Sequence, residues 1–216
     1  MSKKYEIFLF DLDGTITDSA LGITNSVMYA LKKFGIEETD RTKLYKFIGP
    51  PLTESFEKFY GFTKEQSLDG VKYYREYYHD KGIYENRVYD GLEEVLKKIN
   101  EAGKQAIVAT SKPEKYAKII IDHFHLTKYF ACVAGMEMDG GRGTKAQVIT
   151  YALEKNDITD KSKVLMIGDR EHDVIGAHEN GLDCLGILYG FGSRKEFEEA
   201  GADYIRENVK DILQFV

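Results

Sequence analysis

Three short stretches combine acids, hydroxyls and lysines at spacings that chemistry can use. In the first, Phe10-Asp11-Leu12-Asp13-Gly14-Thr15, two carboxylates stand two residues apart after an apolar run. In an extended chain such residues share a face, so Asp11 and Asp13 point the same way. Like charges that close repel unless they share a cation or one holds a proton. Such a pair therefore suits a bound cation or a carboxyl that keeps its proton. The second stretch, Ala109-Thr110-Ser111-Lys112-Pro113, offers hydroxyls just before a helical pattern. Hydroxyl, backbone N–H and helix dipole there can hold an anion. In the third, Gly168-Asp169-Arg170-Glu171-His172-Asp173, Asp169 ends an apolar run and Asp173 follows one helical turn later. Each stretch alone also reads as an ordinary helix cap or acidic turn. Three of them at the ends of three apolar runs argue for one shared site.

Those apolar runs predict the elements that position them. Tyr5 to Phe10, Gln105 to Ala109, Ala131 to Ala134, Val164 to Ile167 and Asp183 to Leu188 read as buried strands. Helical patterns lie between them at Gly91 to Glu101, Glu114 to His123, Lys145 to Glu154 and Glu171 to Glu179, with a closing amphipathic helix at Val209 to Val216. Alternation of this kind predicts an α/β fold, a Rossmann-like parallel sheet with helices on both faces. Ligands of such sheets sit at the carboxyl ends of the strands, where Asp11, Thr110 and Asp169 fall.

The alternation breaks from Asp18 to about Lys81, which carries helical patterns and no strand. Ile23, Val27, Ala30, Leu31 and Phe34 share one face, with Asp18 or Ser19 as cap and Gly35 as stop. We expect 17–85 to be an inserted small α-helical domain, with 1–16 and 86–216 forming the core. Eight of the fifteen tyrosines lie between Tyr45 and Tyr89, an aromatic wall for a ligand or, as we prefer, packing within a small helical domain.

Composition narrows the partners. The 216 residues carry 30 Lys+Arg against 36 Asp+Glu, a formal net charge of −6. That balance argues against duplex nucleic acid or an anionic membrane as main partner. No run approaches a membrane span and no signal-like segment opens the chain, so a cytoplasmic protein is the expectation. Cys132 and Cys184 sit in apolar runs and read as small buried hydrophobes.

Taken in order, Asp11-Leu12-Asp13-Gly14-Thr15, the strand-terminal Thr110, an isolated downstream Lys145 and Gly168-Asp169-x-x-x-Asp173 resemble the four motifs of the haloacid dehalogenase superfamily. The helical insertion is similar to that superfamily's α-helical cap, and Val88-Tyr89-Asp90-Gly91 with Thr110-Ser111-Lys112-Pro113 resembles its phosphoglycolate phosphatase-like branch. The resemblance implies a Mg²⁺-dependent phosphatase acting on a small phosphorylated metabolite. Asp11 would be the nucleophile and Asp13 the general acid and base. Thr110 and the backbone N–H groups of Leu12 and Ser111 would hold the phosphoryl oxygens, and Lys145 would neutralise charge. Asp11, Asp13 through its carbonyl, and Asp169 would bind Mg²⁺, with Asp173 behind them.

The sequence departs from that pattern at two places. Lys145 follows Gly140-Gly141-Arg142-Gly143-Thr144, where many relatives have Lys-Pro; Arg142 there is either a second phosphate contact or a loop cap. Lys112, within the second stretch, is the poorer choice for the charge-neutralising lysine. Arg170-Glu171-His172 replaces a common Ser-x-Asn. A sugar phosphomutase of the same superfamily and a non-enzymatic phospho-switch are the alternatives. Asn25, Lys46 and the Gly49-Pro50-Pro51 turn are candidate specificity residues in the insertion.

Overall fold

The computed structural model describes residues 4–138 and 141–216; Gly140 of the glycine-rich stretch and the first three residues lie outside them. Leaving aside three single-turn segments (Tyr78–Gly82, Thr127–Tyr129 and Lys161–Lys163), the elements in chain order are β1 (Ile7–Phe10), β2 (Thr17–Asp18), α1 (Ala20–Lys33), a 3₁₀ segment (Arg41–Phe47), α2 (Leu52–Tyr60), α3 (Lys64–Tyr77) and β3 (Arg87–Val88). There follow α4 (Leu92–Glu101), β4 (Gln105–Pro113), α5 (Glu114–His123), β5 (Phe130–Met136), α6 (Lys145–Lys155), β6 (Val164–Gly168) and α7 (Glu171–Glu179). The chain ends with β7 (Asp183–Ile187), α8 (Arg194–Ala200), β8 (Tyr204–Arg206) and a 3₁₀ segment (Val209–Phe215).

Two compact units divide the chain, Met1–Thr17 with Val88–Val216, and Asp18–Arg87. In the first, six parallel strands lie in the order β5-β4-β1-β6-β7-β8. β1 is central because Phe8, Leu9 and Phe10 are fully buried, as a strand covered on both faces must be. Chain order runs outward from β1 through β4 to β5, then returns to the other side for β6, so the strand order reverses beside β1. That reversal is where α/β sheets leave a crevice for ligands. Phe10 is level with Val108 on one side and Ile167 on the other. This register puts Asp11, Thr110 and Asp169 within about one residue of the same height.

In the second unit, aromatic side chains do the packing. Phe34 meets Phe62 at 4.7 Å and Tyr73 at 5.6 Å between ring centroids, Phe47 meets Phe56 at 5.2 Å, and Tyr74 stacks on Tyr78 at 5.2 Å. Gly22 allows close passage of the chain: a Cβ there would lie 1.9 Å from the Gly82 carbonyl oxygen. Asn25 donates to Glu85 at 2.8 Å and Lys46 lies 4.2 Å from the centre of the Phe59 ring, so both have contacts inside this unit.

Three features differ from the sequence expectation. β4 continues through Thr110 to Pro113, with an irregularity in its pairing to β5 between Thr110 and Pro113, so Thr110 lies within the strand. The closing segment is a 3₁₀ helix rather than an amphipathic α-helix. α8 and β8 were not anticipated, because α8 has only seven residues and β8 only three. Among the described residues no helix is long and apolar enough to cross a membrane.

Candidate active site

Asp11 is the first residue beyond β1, its N–H donating to the Ile167 carbonyl at 2.9 Å, which extends the β1–β6 ladder by one bond. The chain then turns tightly: the Leu12 carbonyl accepts N–H groups from Thr15, Ile16 and Thr17 at 2.9–3.2 Å. Leu12 buries its side chain completely. Gly14 has φ +87°, and a Cβ there would lie 2.1 Å from Asp169 Oδ2. Gly14→Ala therefore adds about 1–3 kcal/mol of backbone strain to a collision with Asp169. We expect a lower urea midpoint and loss of activity, measured on the same preparation.

Lys145 is brought in by its helix cap. Thr144 Oγ1 accepts the Gln147 N–H while Gln147 Oε1 accepts the Thr144 N–H, both at 3.2 Å, a capping box that makes Lys145 the first residue of α6. Its side chain runs inward past Gly176, where a Cβ would lie 2.7 Å from Lys145 Cγ. Lys145 Nζ donates to Asp11 Oδ1 at 2.7 Å and to the Ala109 carbonyl at 3.1 Å, and lies 2.7 Å from Asp173 Oδ1. Burial works against its ammonium, but Asp11 and Asp173 outweigh burial and hold its pKa above the ordinary lysine value.

Asp169 is fully buried just past β6. Its Oδ2 accepts the Phe191 N–H at 2.8 Å, and the Thr15 hydroxyl makes a long 3.5 Å contact to Oδ1. Cβ atoms at Gly190 and Gly192 would lie 2.4 Å from Asp169 Cβ and 2.0 Å from its carbonyl oxygen. With Gly14, these glycines form a close-fitting collar around Asp169. Asp173 does cap α7, its Oδ2 accepting the Arg170 N–H at 3.1 Å, while its Oδ1 faces Lys145. A plain cap and a charge partner thus coexist in one side chain.

Carboxylate oxygens from Asp11, Asp169 and Asp173 all lie within 4.8 Å of one another. Burial, then the charges of Asp11 and Asp173, push the Asp169 carboxyl well above its ordinary pKa. Burial also raises that of Asp173, against the pull of Lys145. Three buried acids against one ammonium leave excess negative charge, and all the donors are hard oxygens. That set fits a divalent oxygen-seeking cation such as Mg²⁺.

Asp13 stands apart from that group. Its Oδ2 accepts from Lys112 Nζ at 2.6 Å, so each carboxylate of the Asp11–Asp13 pair has its own lysine. The repulsion expected from the sequence is relieved this way: Lys145 is on Asp11, and Lys112, read from the sequence as the poorer choice for that lysine, is on Asp13. Thr110 is buried and its Oγ1 accepts the Lys112 N–H at 3.2 Å; Ser111 lies between them, half-buried. Arg142 is not brought into this group. Its guanidinium pairs with Glu137 and with Glu114 at 3.3 Å, donates to the Gly135 carbonyl at 3.2 Å and stacks 3.8 Å from the Tyr151 ring. Of its two sequence readings, loop closure is the one these partners favour. Phe191 and Tyr189, whose hydroxyl donates to the Thr15 carbonyl at 3.0 Å, were missed by sequence reasoning. Gly190-Phe191-Gly192 just beyond a buried strand was the available signal.

Comparison with known proteins bears on this arrangement. Residues 8–187 match the model of haloacid dehalogenase-like hydrolases. The chain is 45% identical over 193 residues to a 5'-nucleotidase of Pseudomonas aeruginosa, covering 89% of this chain and 87% of that one. It is 35% identical over 187 residues to the tyrosine-protein kinase PtkA of Mycobacterium tuberculosis, covering 87% of this chain and 63% of that protein. Among solved structures, a predicted phosphatase from Clostridium acetobutylicum superposes with a TM-score of 0.94 at 47% identity, 98% of each chain being covered.

Proposed function

The chain belongs to the haloacid dehalogenase-like hydrolase family and is a phosphatase, and from that premise we propose that it hydrolyses a small-molecule phosphate monoester in two steps through Asp11. The observation that carries this reading is the Asp11 carboxylate at the sheet's reversal point, paired at 2.7 Å with Lys145 and close to Asp169 and Asp173. Asp11 attacks phosphorus, the bond to the leaving oxygen breaks, and Asp13 supplies that oxygen's proton. Water then attacks phosphorus, gives its proton to Asp13, and the bond to Asp11 breaks, releasing inorganic phosphate. Splitting the reaction in this way exchanges one hard displacement for two easier ones. Thr110 and the N–H groups of Leu12 and Ser111 hold the phosphoryl oxygens, and Lys145 offsets their charge.

Asp11, Asp169 and the Asp13 carbonyl would hold Mg²⁺, with Asp173 behind them. When bound, the cation supplies charge neutralisation for an anionic substrate facing several carboxylates. A stability experiment checks this directly. Mg²⁺ at a hundredfold above its dissociation constant adds about 2.7 kcal/mol to the folded state, and Asp169→Asn removes that gain. In EDTA the order reverses. Because the folded state raises the Asp169 pKa, it binds that proton more tightly than the unfolded chain does. Metal-free wild type therefore loses stability as pH rises through the window above about pH 4. Asp169→Asn should then melt higher than wild type in EDTA at neutral pH, and the difference should shrink on acidification.

The helical unit Asp18–Arg87 is, in this reading, the cap that selects the substrate. Nucleoside 5'-monophosphates are favoured, since the relative named a 5'-nucleotidase matches along most of both chains. Phosphate release from nucleoside monophosphates, phosphoglycolate, phosphotyrosine and β-glucose 1-phosphate, with Mg²⁺ and with EDTA, tests this. We expect metal-dependent release, highest from a nucleoside monophosphate. Conversion of β-glucose 1-phosphate to glucose 6-phosphate without release would point to a phosphomutase instead.

A further inference from the structure

Lys112 is not among the residues of the four-motif pattern that the sequence resembles, yet it pairs with Asp13, which is. Both side chains are nearly buried, 5% exposed for Lys112 and 12% for Asp13. A buried ion pair is weak as a source of stability, because desolvation consumes most of the attraction. Holding a long lysine side chain in one geometry costs rotamer entropy as well. The backbone beneath it is tightly fixed. The Lys112 N–H donates to Thr110 Oγ1 at 3.2 Å, and a Cβ at Gly135 of β5 would lie 2.6 Å from the Lys112 carbonyl oxygen. The strand irregularity between Thr110 and Pro113 falls at the same place. A rigid segment thus delivers one ammonium to one oxygen of Asp13. The other oxygen, Oδ1, is buried and has no hydrogen-bond partner among the described residues. Such an orphaned acceptor is costly unless it is needed for another species.

We infer that Lys112 is the positioning residue of Asp13: its grip on Oδ2 fixes the carboxyl group so that Oδ1 alone exchanges the catalytic proton. In the first step Oδ1 hands its proton to the leaving oxygen as the phosphorus–oxygen bond breaks and Asp11 bonds to phosphorus. In the second it takes a proton from water as water's oxygen bonds to phosphorus and Asp11 is released. This inference rests on the reading of Asp13 as proton carrier.

The experiment compares kcat/KM, which reports the first phosphoryl transfer, on two esters. One is the preferred alkyl monoester, whose leaving alkoxide needs a proton; the other is p-nitrophenyl phosphate, whose leaving phenolate does not. Asp13→Ala is expected to lose about 10²–10⁴-fold on the alkyl ester and far less on the aryl ester. Lys112→Met should lose on the order of 10–100-fold on the alkyl ester, chiefly in kcat, and at most a tenth of that factor on the aryl ester. Lys112→Arg, which keeps a cation on Oδ2, should recover part of the loss. In the Asp13→Ala background Lys112→Met should add no further preference for the aryl ester. Equal losses on both esters for the Lys112 variants, or none, overturn the inference. An equal loss on both esters for Asp13→Ala overturns the reading of Asp13 itself, a separate result.

Discussion

Asp11→Asn is expected to lower kcat/KM by on the order of 10⁴–10⁶-fold, the scale seen when a nucleophile is removed from a site whose other groups depend on it. The loss should be chemical and not structural. Asparagine has the same shape, and its carbonyl oxygen can still accept the 2.7 Å hydrogen bond from Lys145. The N–H to Ile167 that anchors this residue belongs to the backbone and is untouched. Steady-state kinetics over all substrates that wild type accepts, with circular dichroism to confirm the fold, makes the measurement. If the Asp11→Asn variant kept more than about a hundredth of wild-type activity, Asp11 would be a charged neighbour of the reaction and not its nucleophile.

Lys145→Met should be the most destabilising single change in the cluster, by about 3–5 kcal/mol. Methionine keeps most of the length and apolar volume, so the packing against Gly176 survives while the charge and its hydrogen bonds to Asp11 and the Ala109 carbonyl are lost. Asp11 and Asp173 would then face each other and Asp169 with no ammonium between them. Because the folded-state pKa of Lys145 lies above the ordinary value, its contribution is in full force at neutral pH. It fades only as pH climbs past about 10, where the unfolded lysine begins to lose its proton first. Urea denaturation at neutral pH and again above about pH 10 therefore gives a difference that is constant up to that point and narrows beyond it. Activity should fall about 10²–10³-fold as well, as when one preorganised donor is removed. A variant as stable as wild type would mean that the three acids are already neutralised by protons and that Lys145 is not their counter-charge.

Much of this arrangement is legible in the chain. Asp11, Thr110 and Asp169 each follow an apolar run, and parallel pairing with Phe10 level with Val108 and Ile167 carries them to one height. Position along a strand is a one-dimensional property, so sequence reports it well. Lys145 was readable as the isolated lysine that opens a helical pattern, and the structure adds the Thr144–Gln147 capping box that fixes where that helix begins.

What the chain hid is the lateral reach of side chains. Lys112 looked like part of an amide-supplying loop because it follows the hydroxyls Thr110 and Ser111 at an expected strand end, yet β4 runs on to Pro113 and Lys112 pairs with Asp13. Arg142 was open to two readings, a phosphate contact or a loop cap; in space it is occupied by Glu114, Glu137 and Tyr151. The collar of Gly14, Gly190 and Gly192 around Asp169 joins residues more than a hundred and seventy positions apart, and no local pattern relates them. The short α8 and β8 escaped for want of a full period of their own.

The claim that everything else depends on is that the phosphoryl group passes through Asp11. Rapid acid quench during turnover of the preferred substrate, followed by mass spectrometry of the peptide holding Asp11, tests it most directly. We predict a peptide heavier by one phosphoryl group, with the modification on Asp11, rising within the first turnover and absent from Asp13→Asn and Asp11→Asn controls at the same time point. Full turnover with no phosphorylated Asp11 at any quench time, together with inversion of configuration at phosphorus, would contradict the account and make the reaction a single direct attack by water.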